Sequence, residues 1–421
     1  MTPTWWALVA LVALGIALIV AAITLVPWRT PSPTRAARAT ALRGLPAGMV
    51  SRGRGLHASL RPSSYGSLLA GVVAPLLLGF TPAGAQVVTW VAQPFGGHWL
   101  AEALLGGLAI LMMVSLVSLP FTAWRHTVLR RYGLSTQNWA GWAVDVLKSF
   151  GVGAVTGAVV LAGFYTLTHF APSWWWAFGA VGAAALVVLL SFVFPVLVEP
   201  LFNRFTPMPD GPLRDALVAM AARDGIPVRN VLVADASRRT TGLNAYVSGL
   251  GATRRIVVYD TLLREAPPAE VRSVVAHELG HAKDRDPELG AVLGAIGAAA
   301  VVVGVYLLGQ WDALLRQAGV DSVGSPRAFG LVLGVVAMAG LVSTPAQNLV
   351  SRRIESRADN HALRLTGDSA AFAAMQLRLA EVNIADVHPP RIEYLLFATH
   401  PDTVERLAAA REPTESPYPP R

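Results

Sequence analysis

The run Val271-Arg-Ser-Val-Val-Ala-His277-Glu278-Leu-Gly-His281-Ala-Lys-Asp-Arg-Asp286 contains the pattern H-E-x-x-H at His277, Glu278 and His281. On an α-helix, two residues four apart lie about 40° apart around the axis and one turn along it. Both imidazoles can therefore reach one metal ion, and Glu278 projects beside the place where a water on that ion would sit. Neutral imidazole suits Zn²⁺, and three protein ligands leave a fourth position open. Zinc lowers the pKa of such a water from about 16 toward about 7, and a carboxylate can then take the proton. The plainer reading is a surface helix with two solvated histidines. Val271, Val274 and Val275 argue against it by giving the helix a buried face, and Ala276, Leu279, Gly280 and Ala282 keep the surroundings small and dry. The expectation is one Zn²⁺ per chain.

Outward from this run, the composition changes the solvent. The chain is 53% apolar and 14% charged, whereas a soluble domain carries nearer a quarter charged residues. That points to an integral membrane protein surrounded by lipid. The 34 basic and 26 acidic residues give a net charge of +8, and Lys148 and Lys283 are the only lysines. A basic excess can mark a nucleic-acid binder. Here the arginines cluster in loops beside apolar spans, so membrane orientation explains them and no nucleic-acid partner is expected. There is no cysteine, which excludes disulfides, thiolate metal ligands and a thiol nucleophile.

Five apolar spans precede the motif, at 5–26, 66–91, 100–121, 149–169 and 176–198, and two follow it, at 289–308 and 329–349. Pro75 and Pro82 are expected to kink the second. Residues 28–65 carry Arg29, Arg35, Arg38, Arg43, Arg52, Arg54 and Arg61 among Pro, Gly and Ser. They read as a partly irregular cytoplasmic loop, and Arg125, Arg130, Arg131 and Lys148 mark a second one. The Trp-rich turn 173–176 suits an interfacial aromatic belt. Counting from the arginine loops puts the amino terminus outside and the carboxyl terminus inside. Residues 199–288 and everything after 350 then share the cytoplasmic side. Glycines recur in the spans (Gly151, Gly153 and Gly157; Gly179 and Gly182; Gly290, Gly294 and Gly297), which fits close helix packing or the wall of a cavity.

The chain divides into 1–198 (five spans), 199–288 (a small α+β, zincin-like insert carrying the motif), 289–349 (two spans), 350–410 (a cytoplasmic helical segment) and 411–421 (a loose tail with four prolines). In the insert, 211–224 reads as a helix and 228–234, 243–250 and 255–259 as strands, the last two joined through Gly249, Gly251 and Ala252. Pro267 and Pro268 open the motif helix. The strand holding Asn244, Ala245 and Tyr246 comes shortly before the motif. It is either an exposed edge able to bind an extended peptide or an internal strand with no ligand.

Two histidines leave zinc one ligand short. Glu355 and Asp359 are four apart and share a helix face. Glu355 would complete a His₂Glu site, and Asp359 would accept a proton from a ligand histidine. Taken alone, a salt-bridged surface helix explains them as well, since Arg352, Arg353, Arg357 and Arg364 interleave. Further on, His400 and Arg406 could stabilise an oxyanion on a scissile carbonyl, although His400-Pro401 with a downstream Arg also describes a plain helix start.

Together these segments resemble the type I CAAX prenyl endopeptidases, a family of integral-membrane zinc metalloproteases. The resemblance runs from the Arg131-Tyr-Gly-Leu region onward. It includes Pro200-Leu-Phe-Asn-Arg-Phe-Thr-Pro-Met-Pro, Asn244-Ala-Tyr, Ile256-Val-Val-Tyr-Asp-Thr-Leu-Leu, His277-Glu-Leu-Gly-His281, Glu355-x-x-x-Asp359 and His400-Pro with Arg406. It implies a mainly α, polytopic membrane protein whose seven transmembrane helices enclose a chamber. It implies His277, His281 and Glu355 as zinc ligands and Glu278 as catalytic base, with His400, Arg406 and the Asn244 strand facing a peptide or protein substrate. The Ala-, Arg- and Gly-rich composition is that of a GC-rich bacterial genome, so a bacterial plasma membrane is expected and the prenylated substrate is not carried over. A heat-shock-type membrane quality-control zinc protease is the alternative, with fewer spans. A channel or carrier with structural zinc is a third, which would need a fourth protein ligand.

Overall fold

The computed structural model describes residues 2–249 and 251–412. Leu250, the end of one expected strand, and 413–421, most of the expected tail, lie outside the described residues. Among the described residues, seven helices are long and apolar enough to cross a membrane.

The first spanning helix, α1 (Pro3–Leu25), starts at Thr2, whose Oγ1 accepts the Trp5 N–H at 3.3 Å. The arginine segment after it is irregular at 28–34 and 44–46, as expected in part, but most of it is helix rather than loop. It forms α2 (Arg35–Arg43), capped by Thr34, and the first turns of the 33-residue α3 (Ala47–Gly79). Ala, Leu, Met and Arg are all good helix formers, and that outweighs the Gly and Ser between them. The second span also differs from 66–91. α3 stops at Gly79, and α4 (Ala83–Ala92) is a separate short helix, so Pro82 marks a break rather than a kink.

The third span is continuous from Trp99 to Arg131. It comprises α5 (Trp99–Ala101), a π turn at Glu102–Gly106 and α6 (Gly107–Arg131), so Arg125, Arg130 and Arg131 sit on helix rather than in a loop. Next come α7 (Trp139–Phe170), which includes Lys148, α8 (Trp175–Leu197) and the single turn α9 (Glu199–Phe202). The tryptophan turn is only partly a belt: Trp174 is exposed, while Trp175 and Trp176 are buried against Tyr306. Both readings of the glycines find instances. A Cβ on Gly179 or Gly294 would touch Val302 or Val187, so these pack α8 against a later span. Gly153 has nothing within 4 Å and lines a cavity of about 620 Å³ between α6, α7 and the last span.

The insert contains β1 (Phe205–Pro207), α10 (Pro212–Arg223), β2 (Asn230–Ala234), β3 (Ala245–Ser248), β4 (Arg255–Tyr259), α11 (Asp260–Glu265) and α12 (Pro268–Lys283). The sheet order is β1-β2-β4-β3. β2 and β4 run parallel with Val231 opposite Ile256, and both outer strands are antiparallel. The three-residue β1 was not anticipated; it is too short for an alternating pattern to register. Leu217, Ile256, Leu262, Val275, Leu279 and Phe372 are all 0% exposed in one core beneath the motif helix.

The chain returns to the membrane as α13 (Asp286–Leu308). It makes a short helix α14 (Asp312–Ala318) and crosses once more as α15 (Phe329–Thr366). α15 is 38 residues long, so the last span and the Glu355–Asp359 segment are one rigid rod. Then α16 (Ser369–Val382) packs on α12, α17 (Arg391–Phe397) lies against α15, and α18 (Thr403–Arg411) packs on α16.

Candidate metal centre

α12 begins at Pro268, where a missing N–H costs nothing, with Glu270 in the first turn. Its buried stripe of Val271, Val275 and Leu279 presses on the sheet and turns His277 and His281 toward α15. Gly280 lets α15 come close, because a Cβ there would stand 3.1 Å from the His361 ring.

The two Nε2 atoms of His277 and His281 are 3.1 Å apart. Glu355 reaches both, with Oε2 3.2 Å from His277 Nε2 and Oε1 3.6 Å from His281 Nε2. Each Nδ1 has its own carboxylate: His277 donates to Asp359 Oδ1 at 2.9 Å and His281 to Asp286 Oδ2 at 2.8 Å. Neutral imidazole carries one proton. With that proton on Nδ1, two bare Nε2 lone pairs and a carboxylate face a common point. Such an arrangement needs a cation. A tetrahedral ion with bonds of about 2.1 Å holds its ligands about 3.4 Å apart, which matches these spacings. Glu355 Oε2 is also buried with no hydrogen-bond partner, as a metal-directed oxygen would be. The donor set therefore fits zinc. His277, Glu278 and His281 each offer an atom within 4.8 Å of the others.

The field of the site has the same sign. Burial alone would lower the proton affinity of His277, but the carboxylates of Asp359 and Glu355 beside the ring outweigh it and hold its pKa up at about 10. Surroundings that bind a proton so tightly attract a dication more strongly. Burial raises the Glu278 carboxyl above its usual range, ahead of the opposing pull of His277 and His281.

Glu278 opens onto a cavity of about 250 Å³, lined also by His277, Asn244, Asn383, His400 and Arg406. His400 Nε2 lies 3.3 Å from Glu355 Oε1, on the cavity side. Arg406 reaches the cavity wall, but its Nε and Nη2 both donate to Asp359, the Nε bond being 2.9 Å long. Of the three strand residues, only Asn244 lines the cavity. Ala245 is buried, and Tyr246 donates its hydroxyl to Glu199 at 3.2 Å. β3 is the edge strand of the sheet, with Ala245 and Ser248 buried and Tyr246 and Val247 half-buried.

Two elements were not expected. Asp286 stands five residues after His281, a spacing no helix brings together. It reaches the ring because Arg285 adopts a left-handed conformation (φ 57°, ψ 42°) between α12 and α13. Asn383 Oδ1 accepts the Leu243 N–H at 3.0 Å and so holds the approach to β3; nothing in its sequence neighbourhood signals this.

Two family models cover most of the chain: peptidase family M48 matches residues 207–414, and the CAAX prenyl protease N-terminal family, with five membrane helices, matches residues 66–204. The CAAX prenyl protease 1 homolog of Arabidopsis thaliana is 30% identical over 303 residues, covering 70% of this chain and 70% of its own length. CAAX prenyl protease 1 of Saccharomyces cerevisiae is 27% identical over 353 residues, 79% of this chain and 75% of its own. The crystal structure of S. mikatae Ste24p superposes with a TM-score of 0.74 at 21% identity, covering 96% of this chain and 98% of that one.

Proposed function

Because this chain belongs to peptidase family M48 and carries the membrane-helix region of the CAAX prenyl proteases, we propose that its metalloendopeptidase activity runs on one zinc ion held by His277, His281 and Glu355. The observation that carries this reading is the convergence of three side chains from α12 and α15: the two Nε2 atoms lie 3.1 Å apart, and each has one oxygen of the Glu355 carboxylate at 3.2 or 3.6 Å. Zinc, when bound, supplies a Lewis acid that acidifies water and polarises the substrate carbonyl.

The chain's own residues do the rest. Glu278 takes the proton of the attacking water and passes it to the leaving amine. Its raised proton affinity favours taking the proton from water, and the leaving amine, the stronger base, then draws it off. His400, on the cavity wall, donates to the carbonyl oxygen as negative charge develops there. Arg406 adds positive charge to the same wall and anchors Asp359, which keeps the His277 proton on Nδ1. A peptide or protein substrate lies extended along the β3 edge beside Asn244, bound through its backbone. Ala245 and Tyr246 form that edge from within: one is packed in the core and the other anchored to Glu199.

The arginine distribution supports an amino terminus outside the membrane and the metal centre on the cytoplasmic side, and the Ala-, Arg- and Gly-rich composition supports a bacterial plasma membrane. Seven candidate spans argue against the heat-shock-type alternative with fewer. Glu278→Ala tests the reading. Purified variant should keep one zinc per chain by elemental analysis and lose about 10²- to 10⁴-fold in peptide cleavage. A variant that cuts at the wild-type rate overturns the role of Glu278.

A further inference from the structure

We propose that Asp286, braced by Arg357, is the positioning residue that fixes His281 for the metal. The inference rests on His281 being a ligand, as in the reading above. His281 donates Nδ1–H to Asp286 Oδ2 at 2.8 Å, and Arg357 Nη2 donates to the other oxygen, Oδ1. Arg357 Nε lies 2.8 Å from Asp284 Oδ2, so the guanidinium bridges the two acids that flank Arg285. The Asp286 side chain is only 7% exposed. A carboxylate so placed has few waters to turn to, and its hydrogen bonds to the ring and the guanidinium set its orientation.

The consequence falls on the imidazole. Without an acceptor at Nδ1, the His281 proton can move to Nε2, and the ring can rotate about its χ2 axis; either removes a lone pair from the metal. A carboxylate at Nδ1 locks the tautomer and raises the basicity of Nε2. His277 has a matching arrangement, with Asp359 at its Nδ1 and Arg406 on Asp359. The metal site thus has two carboxylate–arginine braces, one per imidazole. The second joins three helices: His281 ends α12, Asp286 opens α13 and Arg357 belongs to α15. At the first position of α13 the carboxylate also faces the positive end of that helix. Arg285, an exposed residue in left-handed backbone, is the local cost of bringing Asp286 back to the ring.

An ion pair that only tied helices together would not involve the histidine, and its loss would alter stability alone. The test therefore reads the metal. In full-length protein in detergent, zinc affinity is measured by competition with a chromophoric chelator, and the visible spectrum of the cobalt-substituted protein is recorded. Asp286→Ala should weaken zinc by about 10- to 100-fold and shift the cobalt bands. Asp286→Asn keeps the shape and an acceptor oxygen but not the charge, and should fall between alanine and wild type. Because it is isosteric, it also serves if the alanine variant does not fold. Arg357→Lys keeps the charge but loses the fork, and should weaken zinc by a smaller factor. Zinc affinity and cobalt spectrum unchanged in both Asp286 variants would overturn this inference alone. A wild-type protein that binds no zinc would overturn the ligand assignment, and this inference with it.

Discussion

α1 and α12 are both helices of this chain, yet they are held by different means. In the 23-residue α1, Ala7 is the sole buried residue, and Val12, Ile16 and Ile23 are more than half exposed. In the 16-residue α12 nine residues are buried, including His277, Leu279 and Gly280. α1 has lipid for a solvent. Its backbone is satisfied internally and its side chains need only be apolar. α12 sits in a water-facing insert, where burial of apolar area drives folding and each neighbour has a shape to match. Side chains can hold an ångström-scale geometry where neighbours fix their rotamers, and the metal centre lies on that side. α15 belongs to both regimes: Val342 is 73% exposed toward the lipid, and Glu355, on the same helix, is 8% exposed.

The largest effect should come from the junction of the two regimes. Glu355→Ala removes one of three proposed ligands. Zinc should be lost on purification and peptide cleavage with it, while the seven spans remain folded. Elemental analysis, a cleavage assay and circular dichroism in detergent read these separately. A variant whose helical signal collapsed would show that the bundle depends on the metal centre and would break the contrast between the regions.

The next effect sharpens it. Phe372 of α16 is 0% exposed in the core beneath α12, and Phe372→Ala should cost about 3–5 kcal/mol, the transfer energy of the ring plus the cavity left behind. Val155 of α7 is 69% exposed on the lipid side, and Val155→Ala should change stability by no more than about 0.5 kcal/mol. Thermal unfolding of the two variants in one detergent compares them directly. Equal losses would mean that lipid-facing side chains are packed as tightly as core ones.

The same contrast explains what could be read in advance. Spans were legible because lipid selects for hydropathy and little else, so 289–308 lies within α13 and 149–169 within α7. Their ends were not, because hydropathy stops at the membrane while the helix continues: α3 starts at Ala47 and α15 runs on to Thr366. Glu355 was found only as the residue a two-histidine motif lacked; that it rides on the final span is a tertiary fact. Asp286 was passed over for a local reason. Helical spacing is the tool for reading such runs, and Arg285 leaves the helix just where that tool would be applied. The role of Asn383 depends on a contact 140 residues away in sequence, and no local pattern encodes that.

The smallest effect asks whether the bundle, so sparsely packed along α1, has any position as exacting as the core. Gly79 ends α3 against α15: a Cβ there would stand 2.4 Å from the Gly330 carbonyl oxygen and 2.7 Å from Leu331 Cα. Both are backbone atoms, which cannot rotate aside, so Gly79→Ala must push two helices apart and should cost about 1–3 kcal/mol. Gly71 lies two turns earlier on the same helix with nothing within 4 Å. There, Gly→Ala adds helix propensity without a clash and should be neutral or stabilise by up to about 1 kcal/mol. Opposite signs for one substitution on one helix would place the specificity of the bundle at its few backbone crossings. Equal shifts in melting temperature would mean that α3 and α15 can slide to admit a methyl group, and that even this crossing is held by lipid rather than by fit.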